Sequence, residues 1–259
     1  HPTMRKNRPN AEEHLRTQLY TPLTGRRNSP VYNNSVNIIG NNEPIKTSSD
    51  YMKMLMSSGI KVNDLASCTD YDEYLAMRNS CLNIYSLPNA KYCCEQLKKK
   101  LNQDFIYLPL TWNMKKIKES LKNLCIYLNL NLPDFNAWET ATKNSLKKAI
   151  DVIGDNPLYI DYSAITCYLE LAKLLLETGF NVQVIYGDII QPDDKDALEW
   201  LKANTPELPF RATKDFHSRF VSGDEAELAK LSGKKIIAIG SSFDEEKRTI
   251  KDWLIDCSN

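Results

Sequence analysis

The feature that most constrains this chain is a repeated junction: a short apolar run ends at glycine or a small polar residue, and a helix-length segment follows. Val36-Asn37-Ile38-Ile39-Gly40 opens the series and Lys235-Ile236-Ile237-Ala238-Ile239-Gly240 closes it. Further runs at 60–65, 81–85, 105–108, 158–160, 181–186 and 209–212 read as strands. Short continuous apolar runs bounded by turn residues suit strands buried on both faces. The intervening stretches at 71–78, 90–101, 113–128, 135–150, 164–177 and 193–204 read as helices, as do 51–56 and 245–254. In 113–128 the apolar residues Met114, Ile117, Leu121, Leu124 and Cys125 share one helical face. Strands separated by helices require right-handed crossovers, which predicts parallel sheets.

The series pauses at the paired helices between Asn113 and Ile150 and then restarts. Leu55-Met56-Ser57-Ser58-Gly59-Ile60-Lys61-Val62 is echoed by Leu176-Glu177-Thr178-Gly179-Phe180-Asn181-Val182, a helix stopped by glycine and a strand begun at once. The expected fold class is therefore α/β, with two Rossmann-like doubly wound parallel-sheet domains. The expected boundaries are a basic N-terminal arm at 1–34, a first domain at 35–133, a connecting helix at 134–154 and a second domain at 155–259. In the arm, Arg5, Lys6, Arg8, Arg16, Arg26 and Arg27 outnumber Glu12 and Glu13, and four prolines interrupt any long element. A short helix over 11–20 fits there, with the arginines read as a solvated face. The chain opens on His1, as an excised piece or a processed start would.

Composition narrows the function classes. The 259 residues carry 33 Lys+Arg against 33 Asp+Glu, and this balance argues against nucleic acid or an anionic membrane as the main partner. No apolar run is long enough to cross a bilayer and no signal-peptide pattern opens the chain, so a soluble, cytoplasmic protein is expected. Seven cysteines, an odd number scattered through apolar segments, do not read as a disulfide framework. CxxC pairs, zinc spacings and the glycine-rich loops GxGxxG and GxxxxGK[ST] are all missing.

Chemistry must then come from position. In open parallel sheets, ligands bind beyond the carboxyl ends of strands, near the switch in strand order. The residues there are Gly40-Asn41-Asn42, Ser86-Leu87-Pro88-Asn89, Asp161-Tyr162-Ser163, Gly187-Asp188 and Gly240-Ser241-Ser242. Asn41, Asn42, Ser86, Asn89, Asp161, Ser163 and Ser241 are the candidate ligand-binding residues lining a cleft. The competing reading is that such residues cap the following helices. Cys93 and Cys94 fall on a helix, where neighbours diverge by about 100 degrees, and read as buried thiols. Cys68 is the better ligand candidate of the three, close to a strand end. Asp70, Asp72 and Glu73 read as the charged first turn of a helix. His217 has no ExxH or HxxxH partner and reads as a surface residue first.

Several segments taken in order resemble a known family. Ser35-Val36-Asn37-Ile38-Ile39-Gly40, Cys81-Leu82-Asn83-Ile84, and Leu108-Pro109-Leu110 with Lys118-Glu119-Ser120-Leu121 look like the second domain of nitrogenase component 1-type oxidoreductases. Asp161-Tyr162, the stretch from Leu171 to Phe180, and Glu199-Trp200-Leu201-Lys202-Ala203-Asn204 with Pro206 and Leu208 are similar to its third domain. The likeness runs over roughly 35–245 in order. It implies the nitrogenase component 1-like fold, with the basic arm as the tail of a first domain that precedes it. It also implies an oxidoreductase subunit or fragment that positions a metal cluster or an organic substrate for electron-transfer-driven reduction. A homologous partner subunit and an ATP-dependent iron protein would be its partners, and an iron–sulfur or related metal cluster its cofactor.

Carried over by position, the cysteine that holds the metal cofactor in nitrogenase corresponds to Leu87, which cannot ligate. The late histidine ligand falls beyond Trp253, and the bridging cysteines belong to the first domain. The resemblance therefore assigns no metal ligand within this chain. That departure keeps a non-catalytic scaffold or maturation protein open as an alternative. A two-lobed small-molecule binding protein and a glycosyltransferase are further rivals, because both reuse paired lobes of this kind.

Overall fold

A computed structural model describes residues 9–25, 31–41, 43–162, 167–187, 190–211 and 237–239. The chain divides into two compact units, His1–Leu110 with Lys115–Pro133, and Thr111–Met114 with Asp134–Asn259. The first unit opens with α1 (Ala11–Tyr20) and a 3-10 turn at Thr21–Thr24. Then come β1 (Tyr32–Ile39), α2 (Asp50–Ser57), β2 (Lys61–Asp64), α3 (Tyr71–Ala76) and β3 (Ser80–Tyr85). The unit closes with α4 (Lys91–Leu101), β4 (Asp104–Tyr107) and α5 (Met114–Leu128). Its sheet runs β2-β1-β3-β4 with every pairing parallel, so the order reverses between β1 and β3.

Local chemistry explains where these elements begin and end. Ser49 caps α2 by accepting from the Met52 N–H, and Asp70 caps α3 by accepting from the Glu73 N–H. The acidic cluster at Asp70, Asp72 and Glu73 is thus a helix start, in keeping with the charge pattern. Lys98, Lys99 and Lys100 sit in the last turn of α4, at the negative end of its dipole. The two helix-to-strand echoes both turn through glycine, Gly59 at φ +74° and Gly179 at φ +92°, a conformation in which side chains are rarely tolerated.

The core of the first unit joins Ile39, Tyr85, Met77 and Tyr74 to Cys93, Cys94 and Leu97 of α4. Tyr20 and Leu23, at 2% and 0% exposure, belong to the same cluster. Residues 9–25 are therefore packed on the first unit, and Arg16, expected on a solvated face, is largely covered, while Arg5, Lys6, Arg8, Arg26 and Arg27 lie outside the described residues. The apolar residues there are too few and too scattered to announce burial, and only the presence of α4 gives them something to pack against.

The second unit contains α6 (Phe135–Ile153), β5 (Leu158–Asp161), α7 (Tyr168–Glu177) and β6 (Val182–Tyr186). It continues with α8 (Lys195–Asn204), β7 (Phe210–Arg211) and β8 (Ile237–Ile239). The sheet order is β7-β6-β5-β8, again parallel throughout. Ala149 and Ile153 of α6 are buried with Leu158, Ile160, Leu169 and Ile185 in one core. Glu170, 5% exposed, accepts from the Trp112 N–H at 3.0 Å and from the Thr111 hydroxyl, while Asp194 accepts from the Glu170 N–H at 3.1 Å. These bonds attach 111–114 to the second unit. The helix expected at 245–254 lies outside the described residues. No helix among the described residues is long and apolar enough to cross a membrane.

Candidate functional site at the carboxyl ends of the sheets

At the reversal point of the first sheet, Ile39 of β1 pairs in register with Tyr85 of β3. Gly40 and Asn41 follow the one strand, and Ser86 to Asn89 follow the other. This is where an open parallel sheet offers main-chain groups to a ligand. Here the chain itself takes them. The Gly40 N–H donates to the Tyr20 hydroxyl at 3.1 Å, and the Arg16 guanidinium donates to the Gly40 carbonyl. The Asn89 side-chain amide donates to the Glu12 carboxylate, which also pairs with Arg16 at 3.0 Å. Gly40 is itself at φ +86°, and a Cβ there would overlap the Cβ of Ala90.

The closure by α1 is well braced. Asn10 and Glu13 form a reciprocal capping box, with bonds of 2.8 and 2.9 Å. The Tyr74 hydroxyl donates to the Leu19 carbonyl at 2.6 Å, tying α1 to α3. The Arg16 side chain is only 13% exposed. Burial pushes the Tyr20 phenol well up, so it remains a neutral hydroxyl at this junction. From sequence Arg16 reads only as part of a solvated face, and Tyr20 is not singled out. Their separation of one helical turn puts both on the same face of α1, and that spacing was the available signal.

The sequence-derived site residues are distributed as follows. Asn41 and Asn89 are part-buried and Ser86 is buried, all at the carboxyl edge of the first sheet. Asp161, 1% exposed, ends β5 at the carboxyl edge of the second sheet. Nearby, the Tyr162 N–H donates to the Tyr186 carbonyl at 2.9 Å, and the Tyr168 phenol fills the space where a Cβ on Gly187 would stand. Asn42, Ser163 and Ser241 lie outside the described residues, as does His217.

Whether the described residues suit a metal cluster can be tested on their own chemistry. Cluster ligation needs accessible thiolates, and burial instead holds the thiols protonated. The Cys93 thiol is pushed up to about 12 by burial, and Cys94 is raised by burial with Cys93 and Glu95 adding to it. Cys68 donates to the Asp64 carbonyl at 3.3 Å and is raised by burial, then by Glu73, Asp64 and Asp70. Leu87 is apolar. No group of three His, Cys, Asp or Glu able to hold a metal ion occurs among the described residues. They do not fit a cluster.

Two parallel sheets, each flanked by crossover helices, define a doubly wound α/β protein. The chain belongs to the nitrogenase component 1 type oxidoreductase family, whose sequence model matches residues 5–252. Nitrogenase Cp1 at pH 6.5 is a similar solved structure, with 13% identity and a TM-score of 0.57 over 88% of this chain and 58% of that one. Nitrogenase Cp1 at pH 5 aligns at 17% identity and a TM-score of 0.48, over 74% of this chain and 43% of that one. At 13% identity the likeness to the first of these speaks for the fold alone. No curated protein matches the chain. The family resemblance and the parallel α/β class read from sequence are both borne out. The chain spans a little over half of that first structure, 58% of its length.

Proposed function

We propose that this chain serves a component 1-type oxidoreductase assembly as a framework subunit, pairing with a homologous subunit while the metal cluster is ligated outside the residues described. One observation carries this reading. The reversal point of the first sheet, where a guest would meet main-chain groups, is filled by Tyr20, Arg16 and Glu12 of the same chain. Leu87 beside it offers no ligand, and the neighbouring thiols are held protonated in the core. Family membership supports an oxidoreductase setting, with electrons arriving from an ATP-dependent iron protein. A maturation scaffold is the form of this reading in which the cluster is built on the assembly and passed on.

A second reading is favoured by one specific feature. Asp161 is a carboxylate at 1% exposure on the carboxyl edge of the second sheet, and its neighbour Tyr162 meets the Tyr168 ring edge-on. That edge suits an organic substrate better than a cluster, because aromatic and carboxylate groups orient such molecules by stacking and hydrogen bonding.

Anaerobic purification of the chain alone, followed by iron and acid-labile sulfide analysis, tests the framework reading. Iron and sulfide well below one per chain are expected, before and after reconstitution with ferrous iron and sulfide. Stoichiometric cluster on the isolated chain would overturn it. Co-expression with a homologous subunit should yield a complex in which iron follows that subunit.

A further inference from the structure

Away from that crevice, at the opposite end of the first sheet, lies a cavity of about 530 Å³. It opens between the starts of β1 and β2 and the segment running from α3 into the 3-10 turn at Met77–Asn79, within the first unit alone. One of its lining residues, Asn63, belongs to an unusual feature beneath it. Asn63, Asn37 and Asn83 stand in register on β2, β1 and β3, and form a ladder of buried amides across the sheet. Asn37 donates to the Asn83 side-chain oxygen and to the Met77 carbonyl, both at 2.8 Å. Asn63 donates through its amide nitrogen to Ser35 and Ser80, each at 2.9 Å.

A planar amide whose nitrogen is turned into this network turns its oxygen the other way. Asn63 lines the cavity, so its Oδ1 is the acceptor left for it. Asn79 also lines the cavity at 8% exposure, although its Oδ1, which has no hydrogen-bond partner, is itself closed off from solvent. Lys61 and Arg78 add donors to the walls, Asp72 adds an acceptor, and the half-exposed Tyr32 ring flanks the mouth.

The balance of these groups selects the ligand chemistry. A cation would suit Asp72 and the Asn63 oxygen but meet Lys61 and Arg78. An anion would suit those two cations but meet the Asp72 carboxylate and the Asn63 oxygen. A neutral molecule whose every polar group both donates and accepts satisfies all of them, and hydroxyl groups have that property. An aromatic face at the mouth suits the C–H face of a sugar ring. A cavity of this size is within the range that holds a small organic molecule, roughly 300–1,000 Å³. We propose that the amino-terminal edge of the first sheet is a binding site for a small neutral polyol of the mono- or disaccharide class.

The test titrates the full chain, ¹⁵N-labelled, with glucose and maltose, and with arginine and glutamate as charged controls. The expected result is a saturable shift of the amides of residues 32–35, 61–63 and 76–79 with at least one sugar, and a weaker response to both charged probes. Tyr32→Ala and Asp72→Ala, both at exposed positions, should each weaken that affinity at least fivefold while leaving the remaining spectrum unchanged. Ala76→Phe, which fills the cavity, should abolish the response. No saturable shift with either sugar, tighter binding of arginine or glutamate, or full affinity in Tyr32→Ala and Asp72→Ala would each overturn the proposal.

Discussion

Replacing Gly40 with alanine tests the closure of the first sheet most directly. The residue sits at φ +86°, where the new side chain is disfavoured by about 1–2 kcal/mol. The added Cβ also overlaps the Cβ of Ala90, in a turn fixed between β3 and α4, and overpacking of this kind costs about 1–3 kcal/mol. Together the two terms predict about 2–5 kcal/mol of destabilisation in the first unit. Ala90→Gly in the same chain removes the overlap and leaves the backbone term, so it should restore about 1–3 kcal/mol. Hydrogen exchange read by mass spectrometry on peptides from β1, β3 and α4 measures the effect. Every tryptophan of the chain (Trp112, Trp138, Trp200 and Trp253) falls in the second unit, so the tryptophan fluorescence transition in urea serves as an internal control. The reasoning is refuted if Gly40→Ala leaves protection of β1 and β3 at the wild-type level, or if Ala90→Gly restores nothing.

Three other outcomes follow from the same geometry. Asn37→Ala removes the donor to the buried Asn83 oxygen, while the Met77 carbonyl keeps Gln103 and the Ser80 hydroxyl keeps Ser35 and Asn63, so a loss of about 1–3 kcal/mol is expected, read by exchange of β1 and β3 amides. Glu170→Gln keeps the shape but removes the charge that draws the Trp112 N–H and Thr111 hydroxyl, so the tryptophan-detected unfolding midpoint should fall by about 1–2 kcal/mol in equivalent stability. Burial raises the Asp64 carboxyl above its ordinary value, against smaller opposing backbone hydrogen bonds at Ala66 and Ile45. A carboxyl raised on folding favours the native state as pH falls through its folded value, and weakens it above. Asp64→Asn, which keeps the acceptor for the Ala66 N–H, should therefore stabilise the first unit at neutral pH and lose that advantage in mild acid. A variant less stable than the parent at pH 7 would show that the carboxylate charge is itself required.

Much of the architecture was legible residue by residue. The strand starting at Val36, the helix stops at Gly59 and Gly179, and the restart at Leu158 are local signals, set by backbone freedom and by the period of apolar side chains. The burial of Cys93 and Cys94 was readable too, because both fall on the broad apolar arc of their helix with Leu97 and Leu101. The amide ladder was written in the sequence as an asparagine after an apolar residue in Val36-Asn37, Val62-Asn63 and Leu82-Asn83. It went unread because asparagine in isolation signals a turn, and nothing local says that three of them will share a register.

Local order, then, sufficed to determine that this chain alternates strand and helix and must close its strands in parallel. Only the assembled structure decided that β1 lies between β2 and β3 in the first sheet, and that α1 returns to occupy the end of it. Arg16 and Gly40 are separated along the chain by a turn and a whole strand, so their hydrogen bond has no trace in any short window of sequence. Periodicity reports which face of an element is apolar. It is silent about which distant element will cover that face, because that choice is made by the combined packing of all of them.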